Sequence, residues 1–354
     1  MHPVKPVLKK LQFGLVGTGR IADSYAQAFE TSRNATLAAV TDLRPEAAQA
    51  FAARNHCAAF ASCAEMIKER QLDAVVVATP PATHGEICMG LLQSGIAVLC
   101  EKPVSLDVET ARKIRGAAEQ HGALFTMASK FRYVDDVTRA QSIVRSGILG
   151  DIVLFENTFM SRVDMKGRWN SDAQMSGGGV LIDNGTHSVD IMRYFLGPLK
   201  EISVMEGKRN QKLNVEETVR VMVRSESGVI GNMDLSWSLN KEIDHYVAIY
   251  GSHGTLRLGW KQSTYKQAGS PDWVVFGNGY DKVLTFRRQI ENFSGAIQGL
   301  ETLLITSDDA VASVEAIQAG YQAMRDRCWV PVTHVEEDAV HASMPSGMQV
   351  AATA

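Results

Sequence analysis

A short apolar run, Phe13 to Val16, passes straight into Gly17-Thr18-Gly19-Arg20-Ile21-Ala22. A GxGxxA set where a buried strand hands over to a helix leaves few folds open. Gly17 permits the tight turn, Gly19 lets a pyrophosphate approach the backbone, and Ala22 keeps helix and strand close. The helix N-terminus adds unpaired N–H groups and partial positive charge, the surroundings a diphosphate needs. The next apolar run, Leu37 to Thr41, ends at Asp42, 25 residues after Gly17. A carboxylate there can accept ribose 2'- and 3'-hydroxyls and repels a 2'-phosphate. The expected ligand is a dinucleotide, with NAD favoured over NADP. Arg44, next to Pro45, reads as a solvated residue starting a helix. It would hold a 2'-phosphate if Asp42 turned away, which keeps NADP open.

Further runs follow at Ala74 to Ala78, Ala97 to Cys100 and Leu124 to Met127. None shows period-two alternation, so they read as strands buried on both faces, as in a parallel sheet covered by helices. Helices are expected between them at Ile21 to Glu30, Glu46 to Asn55, Ala61 to Arg70, Thr83 to Gln93 and Val108 to His121, with Gly95 and Gly122 ending two of them. This is a doubly wound α/β domain. After Val134 the texture changes. A helix at Asp135 to Arg145 precedes alternating segments at Asp151 to Val163, Glu217 to Arg224 and Val229 to Ser238. Such alternation implies an antiparallel sheet with one wet or partner-covered face. Strands at Ile202 to Gly207, His245 to Tyr250 and Thr255 to Trp260, then helices near Thr285 to Leu304 and Asp308 to Arg325, complete an α+β domain. The expected division is 1–130 for the dinucleotide domain, 131–335 for the second domain and 336–354 for a flexible tail.

Two domains suit 354 residues, since single cores stop growing below that size. Lys and Arg number 36 against 39 acids, spread along the chain, so a nucleic-acid footprint is not expected. Cys57, Cys63, Cys88, Cys100 and Cys328 form no CxxC pair, which argues against a metal centre and for free thiols in the cytoplasm. Met1 to Lys10 lacks the apolar stretch of a secretory signal, and no run approaches the roughly 18 residues of a membrane helix.

The strand Ala97 to Cys100 ends in Glu101-Lys102-Pro103, at the carboxyl edge where doubly wound sheets bind ligands. Lys102 is the first catalytic candidate; a surface lysine after a strand is the plainer alternative. The X-Pro bond there could be cis. Gly177-Gly178-Gly179 then precedes a stripe in which Asp183 and His187 are spaced i, i+4, with Asp190 three residues on. A satisfied structural pair is the competing reading, but the glycines, which permit close backbone approach, favour a site.

GxGxxA, Thr79-Pro80 with His84 following, Glu101-Lys102-Pro103 and GGGxxxDxGxHxxD, in that order, resemble the glucose-fructose oxidoreductase, inositol dehydrogenase and rhizopine-catabolism family (Gfo/Idh/MocA) over nearly the whole chain. The resemblance implies a Rossmann domain followed by an α+β domain with a large open, mostly antiparallel sheet. It implies a homodimer or homotetramer formed through that sheet. It also implies that Lys102, Asp183 and His187 meet over the nicotinamide, while Gly17, Thr18, Gly19, Arg20, Ile21, Ala22, Asp42, Arg44, Thr79, Pro80, His84, Glu101 and Lys102 surround the cofactor.

Oxidising a carbinol requires its hydroxyl proton to leave as hydride departs. His187 is suited to take that proton. Lys102 as a cation would stabilise the alkoxide, or share the proton if desolvation lowered its pKa. Asp183 would orient the hydroxyl or the imidazole. Lys130, Arg132, Arg162, Arg168 and Trp169 are candidates to grip a sugar-like substrate, with interdomain salt bridges as the alternative for each charged one. The expected enzyme moves hydride between NAD and a secondary alcohol or ketone of a sugar, inositol, aminosugar or nucleotide sugar. An NAD-dependent glycosidase working by transient oxidation and elimination, and a noncatalytic NAD sensor, remain the alternatives.

Overall fold

A computed structural model describes residues 10–332; the tail expected at 336–354 lies outside them. The first sheet contains β1 (Leu11–Val16), β2 (Ala35–Thr41), β3 (Ala58–Phe60), β4 (Ala74–Val77), β5 (Ala97–Glu101) and β6 (Phe125–Ala128), in the order β3-β2-β1-β4-β5-β6. Every adjacent pair is parallel. The connections are α1 (Ala22–Thr31), α2 (Pro45–Asn55), α3 (Cys63–Glu69), α4 (His84–Gln93) and α5 (Val108–His121). Their ends follow local chemistry. Pro45 opens α2 without forfeiting a helical N–H. Asp107 accepts the Thr110 N–H ahead of α5, and Gly122 closes that helix in the left-handed region at φ 62°. Strand order reverses between β1 and β4, so the ligand crevice of this sheet opens above the carboxyl ends of β1, β4 and β5.

A 3-10 turn, Lys130–Tyr133, and α6 (Asp135–Arg145) lead into the second half. Its strands are β7 (Ile152–Met160), β8 (Leu199–Glu206), β9 (Thr218–Ser225), β10 (Ile230–Ser236), β11 (His245–Gly251), β12 (Gly254–Gly259), β13 (Ser263–Gln267), β14 (Val274–Gly277) and β15 (Val330–Pro331). They form one sheet ordered β14-β13-β12-β11-β7-β10-β9-β8-β15. Every pair is antiparallel except β7 with β10, a detail that alternation cannot reveal. The helices of this half are α7 (Ala173–Ser176), α8 (Val180–Leu196), α9 (Lys282–Ile297) and α10 (Ser307–Asp326).

The two sheets and the apolar cores do not divide at the same place. Phe286, Ile290 and Phe293 of α9 bury themselves against Phe13, Leu15 and Tyr25 of the first half. Ala310, Val311 and Val314 from the start of α10 join the core on the other face of the first sheet. The later part of α10, with Ile317 and Ala323, packs into the core of the second sheet. Each fully buried Phe or Ile removes about 1.5–3 kcal/mol worth of apolar surface from water. The boundary expected at 130 thus separates the sheets, while the chain's last helices return across it.

Candidate active site

The Gly-rich turn is drawn to the end of β2 by Asp42. Its Oδ2 accepts both the backbone N–H and the hydroxyl of Thr18, each at 2.8 Å. Its Oδ1 accepts the Arg44 N–H at 3.0 Å and Arg44 Nε at 3.2 Å. Burial alone would raise this carboxyl, but those four bonds hold it below its ordinary value. Asp42 therefore ties the turn together before any ligand arrives. Arg44, with 69% of its side chain exposed, is the partner most easily exchanged. Gly17 sits at φ 94°, and a Cβ there would meet the Ala78 carbonyl oxygen at 2.8 Å. A Cβ on Gly19 would meet nothing within 4 Å. No side chain caps the N-terminus of α1. An open face over Gly19 beside uncapped helical N–H groups fits a diphosphate, and Gly17 through Ala22 with Asp42 are the residues that would hold the dinucleotide.

At the end of β5 the Lys102–Pro103 peptide is cis. His84 braces the turn from behind. Fully buried, its Nδ1 lies 2.9 Å from the Pro103 carbonyl oxygen and its Nε2 lies 2.8 Å from that of Thr79. The ring thus sits between the Thr79 loop and the lysine turn, with one nitrogen facing a carbonyl of each. Burial pushes its pKa down, against the pull of the two carbonyls. Glu101 likewise faces inward, accepting the Tyr25 hydroxyl at 2.8 Å and the Lys102 N–H at 3.3 Å. Burial raises its pKa, and neighbouring Lys102 only partly opposes this.

Lys102 Nζ donates to the Asp183 carbonyl oxygen at 3.0 Å and forms a short ion pair with Asp183 Oδ1. Asp183 is presented by α8, whose start is fixed by Glu216. That carboxylate accepts the N–H groups of Gly179 at 2.9 Å and Leu181 at 3.0 Å, and the Tyr321 hydroxyl at 2.7 Å. A Cβ on Gly178 would collide with Tyr321, and one on Gly179 with the Glu216 backbone. These two glycines admit protein neighbours rather than a ligand, correcting the expected reason for the run. His187 stands one turn beyond Asp183, as the spacing predicts. It is 9% exposed, with Nδ1 3.4 Å from Ser129 Oγ. Burial first, then the Lys102 and Lys130 ammonium groups, push its pKa well below the usual imidazole range.

Lys102, Asp183 and His187 open on one cleft of about 400 Å³, which begins at Ile21 of the Gly-rich turn. Phe131, Phe159, Trp260 and Phe286 form its apolar wall; the first two rings stack with centroids 4.6 Å apart. Lys130 also lines it. Its Nζ lies over the rings of Phe131 at 5.3 Å, Tyr280 at 5.6 Å and Phe286 at 6.0 Å. Among the described residues it has neither a hydrogen bond nor an ion pair. Burial, with Lys102 and Lys282 nearby, lowers its pKa to about 8, although Glu101 opposes this. A groove of about 780 Å³ between α5 and α10 is larger, but the Arg112–Glu315 ion pair crosses it at 2.7 Å and no reactive set converges there.

Arg132 makes the ion pairs that are the alternative to substrate binding for it. Only 4% exposed, it is held by Asp190 at 2.7 Å and Asp309 at 3.1 Å. It does not line the cleft. Arg162, Arg168 and Trp169 do not line the cleft either; Trp169 is 43% exposed on the surface. Sequence reasoning missed Asn184, Phe131, Phe159, Trp260 and Phe286 as lining residues, and Glu216 and Ser129 as supports. For Asn184 and Phe131 adjacency to candidates was an available signal. For Phe286, nearly two hundred residues from Lys102 in sequence, there was none. Among the described residues no group of three His, Cys, Asp or Glu could hold a metal ion.

Residues 11–129 match the model of an oxidoreductase family with an NAD-binding Rossmann fold, and residues 137–257 match the GFO/IDH/MocA C-terminal domain. The rhizopine catabolism protein MocA of Rhizobium meliloti is 29% identical over 325 residues, covering 90% of this chain and 96% of that protein. Inositol 2-dehydrogenase of Rhizobium meliloti strain 1021 is 24% identical over 327 residues, covering 90% and 98%. Among solved structures, levoglucosan dehydrogenase in complex with NADH superimposes with a TM-score of 0.85 at 18% identity, over 92% of this chain and 100% of that one. At that identity the likeness concerns the fold alone.

Proposed function

Because the chain belongs to the Gfo/Idh/MocA family of NAD-binding oxidoreductases, we propose that it moves hydride at a secondary carbinol of a sugar, inositol, aminosugar or nucleotide sugar. It is an NAD(P)-dependent dehydrogenase acting on CH–OH groups. The observation that carries the proposal is the convergence of an ammonium, a carboxylate and an imidazole on a cleft that starts at the dinucleotide turn. Bound nicotinamide supplies the hydride acceptor. His187, neutral in its buried setting, takes the hydroxyl proton. Lys102, paired with Asp183, stabilises the alkoxide as it forms. Asp42 would accept the ribose hydroxyls of NAD in place of the exposed Arg44 side chain, which favours NAD over NADP.

The test is a screen of inositols, aldoses, glucosides, aminosugars and nucleotide sugars with NAD and with NADP, following absorbance of the reduced nicotinamide. Turnover with at least one such carbinol, faster with NAD, is expected. Cleavage of a glycoside without accumulation of reduced cofactor would replace the proposal with transient oxidation. Binding of NAD with no turnover across the panel would replace it with a sensing role.

Lys130 is assigned to substrate recognition, since its ammonium is enclosed by rings on its other sides and faces the cleft. Charged below about 8, it donates to a substrate oxygen. kcat/KM is therefore expected to fall as pH rises through about 8. Lys130→Met should remove that alkaline limb and raise the substrate KM about tenfold, the worth of one hydrogen bond from a charged donor. An unchanged limb in the variant would assign it to another group.

The outer face of the second sheet exposes Met205, Met222 and Ile230. Apolar residues gathered on one face support pairing with a second copy, so a homodimer or homotetramer by light scattering is the expected state. No helix among the described residues is long and apolar enough to cross a membrane. The free thiols support a cytoplasmic enzyme.

A further inference from the structure

The cleft holds a positive charge that no described residue pairs with. Lys130 Nζ lies over the rings of Phe131 at 5.3 Å, Tyr280 at 5.6 Å and Phe286 at 6.0 Å, and it lines the same cavity as Lys102, Asp183 and His187. An ammonium has three N–H donors and no acceptor. The rings attract its charge but offer no oxygen to those donors. The two acids that line the cleft are engaged elsewhere. Glu101 accepts the Tyr25 hydroxyl at 2.8 Å and the Lys102 N–H at 3.3 Å, and Asp183 pairs with Lys102. Enclosing a cation without a partner is costly, and an uncharged chain of the same length would pack against three rings as well. The ammonium is left for an entering molecule to pair.

The remaining walls narrow what that molecule is. Even with Glu101 counted as a full negative charge, two lysines stand against two carboxylates, and oxidised nicotinamide brings one more positive charge. A neutral carbinol would leave that excess enclosed, whereas a substrate with one negative group cancels it. Phosphorylated and nucleotide-linked sugars fit less well. No arginine lines the cleft, so the bidentate grip suited to a phosphoryl group is missing. The cavity of about 400 Å³, which the nicotinamide must share, is at the small end for a ligand site. An aminosugar would bring a second cation against Lys130. Few groups remain to satisfy many hydroxyls: Asn184 already donates to the Phe159 carbonyl at 3.2 Å, and four aromatic side chains form the facing wall.

We propose that the substrate is a small sugar acid, an alcohol of one ring or one short chain whose carboxylate pairs with Lys130 while its carbinol lies between Lys102 and His187. Lys130 is then a specificity-determining residue. It selects the acid over the neutral sugar of the same skeleton and takes no part in hydride or proton transfer. The fate of the carbinol rests on the dehydrogenase reading above; the binding of the carboxylate does not.

The experiment compares compounds matched in skeleton: glucuronate with glucose, galacturonate with galactose, gluconate with glucitol, and glucosamine as a cationic member. With NAD, kcat/KM is expected to favour the acid by at least about tenfold, a modest return for a charge pair in a partly enclosed site, and glucosamine should be the poorest of its series. In Lys130→Met, which keeps the stem against the rings, the preference for the acid should disappear. Isothermal titration of the NAD-loaded protein with the same compounds gives a second reading that needs no turnover. Neutral members handled as well as their acids by the unaltered protein overturn the proposal even if the variant does not fold, and so does a preference that survives in folded Lys130→Met. Acids that bind more tightly than their neutral partners, with no carbinol turned over, leave the carboxylate site standing and remove the dehydrogenase reading. Acids that bind no more tightly overturn the site itself.

Discussion

Replacing Lys102 with methionine is expected to lower kcat at least about 10³-fold while NAD affinity stays within about twofold, the pattern of a charge that acts on the alkoxide. Methionine keeps most of the buried stem and deletes only the ammonium. That ammonium is the Asp183 carboxylate's ion-pair partner and donates to its carbonyl. Its loss leaves a carboxylate uncompensated where an alkoxide must form, so the barrier rises twice: one cation is missing and one anion is unmasked. The dinucleotide turn belongs to β1 and α1 and takes its order from Asp42, which does not touch Lys102. Fluorescence titration with NADH and stopped-flow turnover would separate the two effects. Turnover above a tenth of the parent rate would mean that the alkoxide is stabilised elsewhere.

Arg132→Met should have the largest effect on stability, a loss of about 3–5 kcal/mol in denaturant unfolding, as when one member of a buried ion pair is removed. Asp190 is fully buried. Burial raises its pKa, and the Arg132 charge is the main restraint on that rise. Asp309 is held low chiefly by Arg132, against burial. Without the guanidinium both carboxylates are stranded, and the junction of the 3-10 turn, α8 and α10 loosens. The double variant Arg132→Met with Asp190→Asn should lose less than the two single losses added, because the stranded charge is gone. A loss under about 1 kcal/mol in the single variant, the size of an exposed pair, would show that the triad is dispensable.

Much of this architecture is legible from local pattern. Val75, Val76 and Val77 cannot alternate between water and core, so β4 is read as doubly covered, and all three are buried along with Ala74. β9 alternates along its length, and so do its exposures. The strands that escape sequence reading are β3, β13, β14 and β15, with two to five residues each. Their conformation is imposed by a neighbour's ladder rather than by their own period. The site divides in the same way. Lys102 follows a strand and Asp183 and His187 share a helical face, relations contained within a few residues of chain. The resemblance implies that His84 borders the cofactor and brings the segment of Arg132 toward the cleft. Each is engaged by carbonyls or carboxylates of other segments. Glu216 and Ser129 have roles that exist only once α8 is seated, and no period or spacing announces them.

The shared helix α10 sets a limit on how such a chain can be cut or recombined. Its opening turns belong to one core and its closing turns to the other, and α9 seals the first sheet from the far end of the polypeptide. A fragment stopping after β6 would bare the seat left by Phe286, Ile290 and Phe293, and would aggregate rather than fold as a free nucleotide-binding module. Exchanging halves between relatives by joining them end to end would mismatch that seat. A chimera would have to carry 282–326 as a graft matched to both parents.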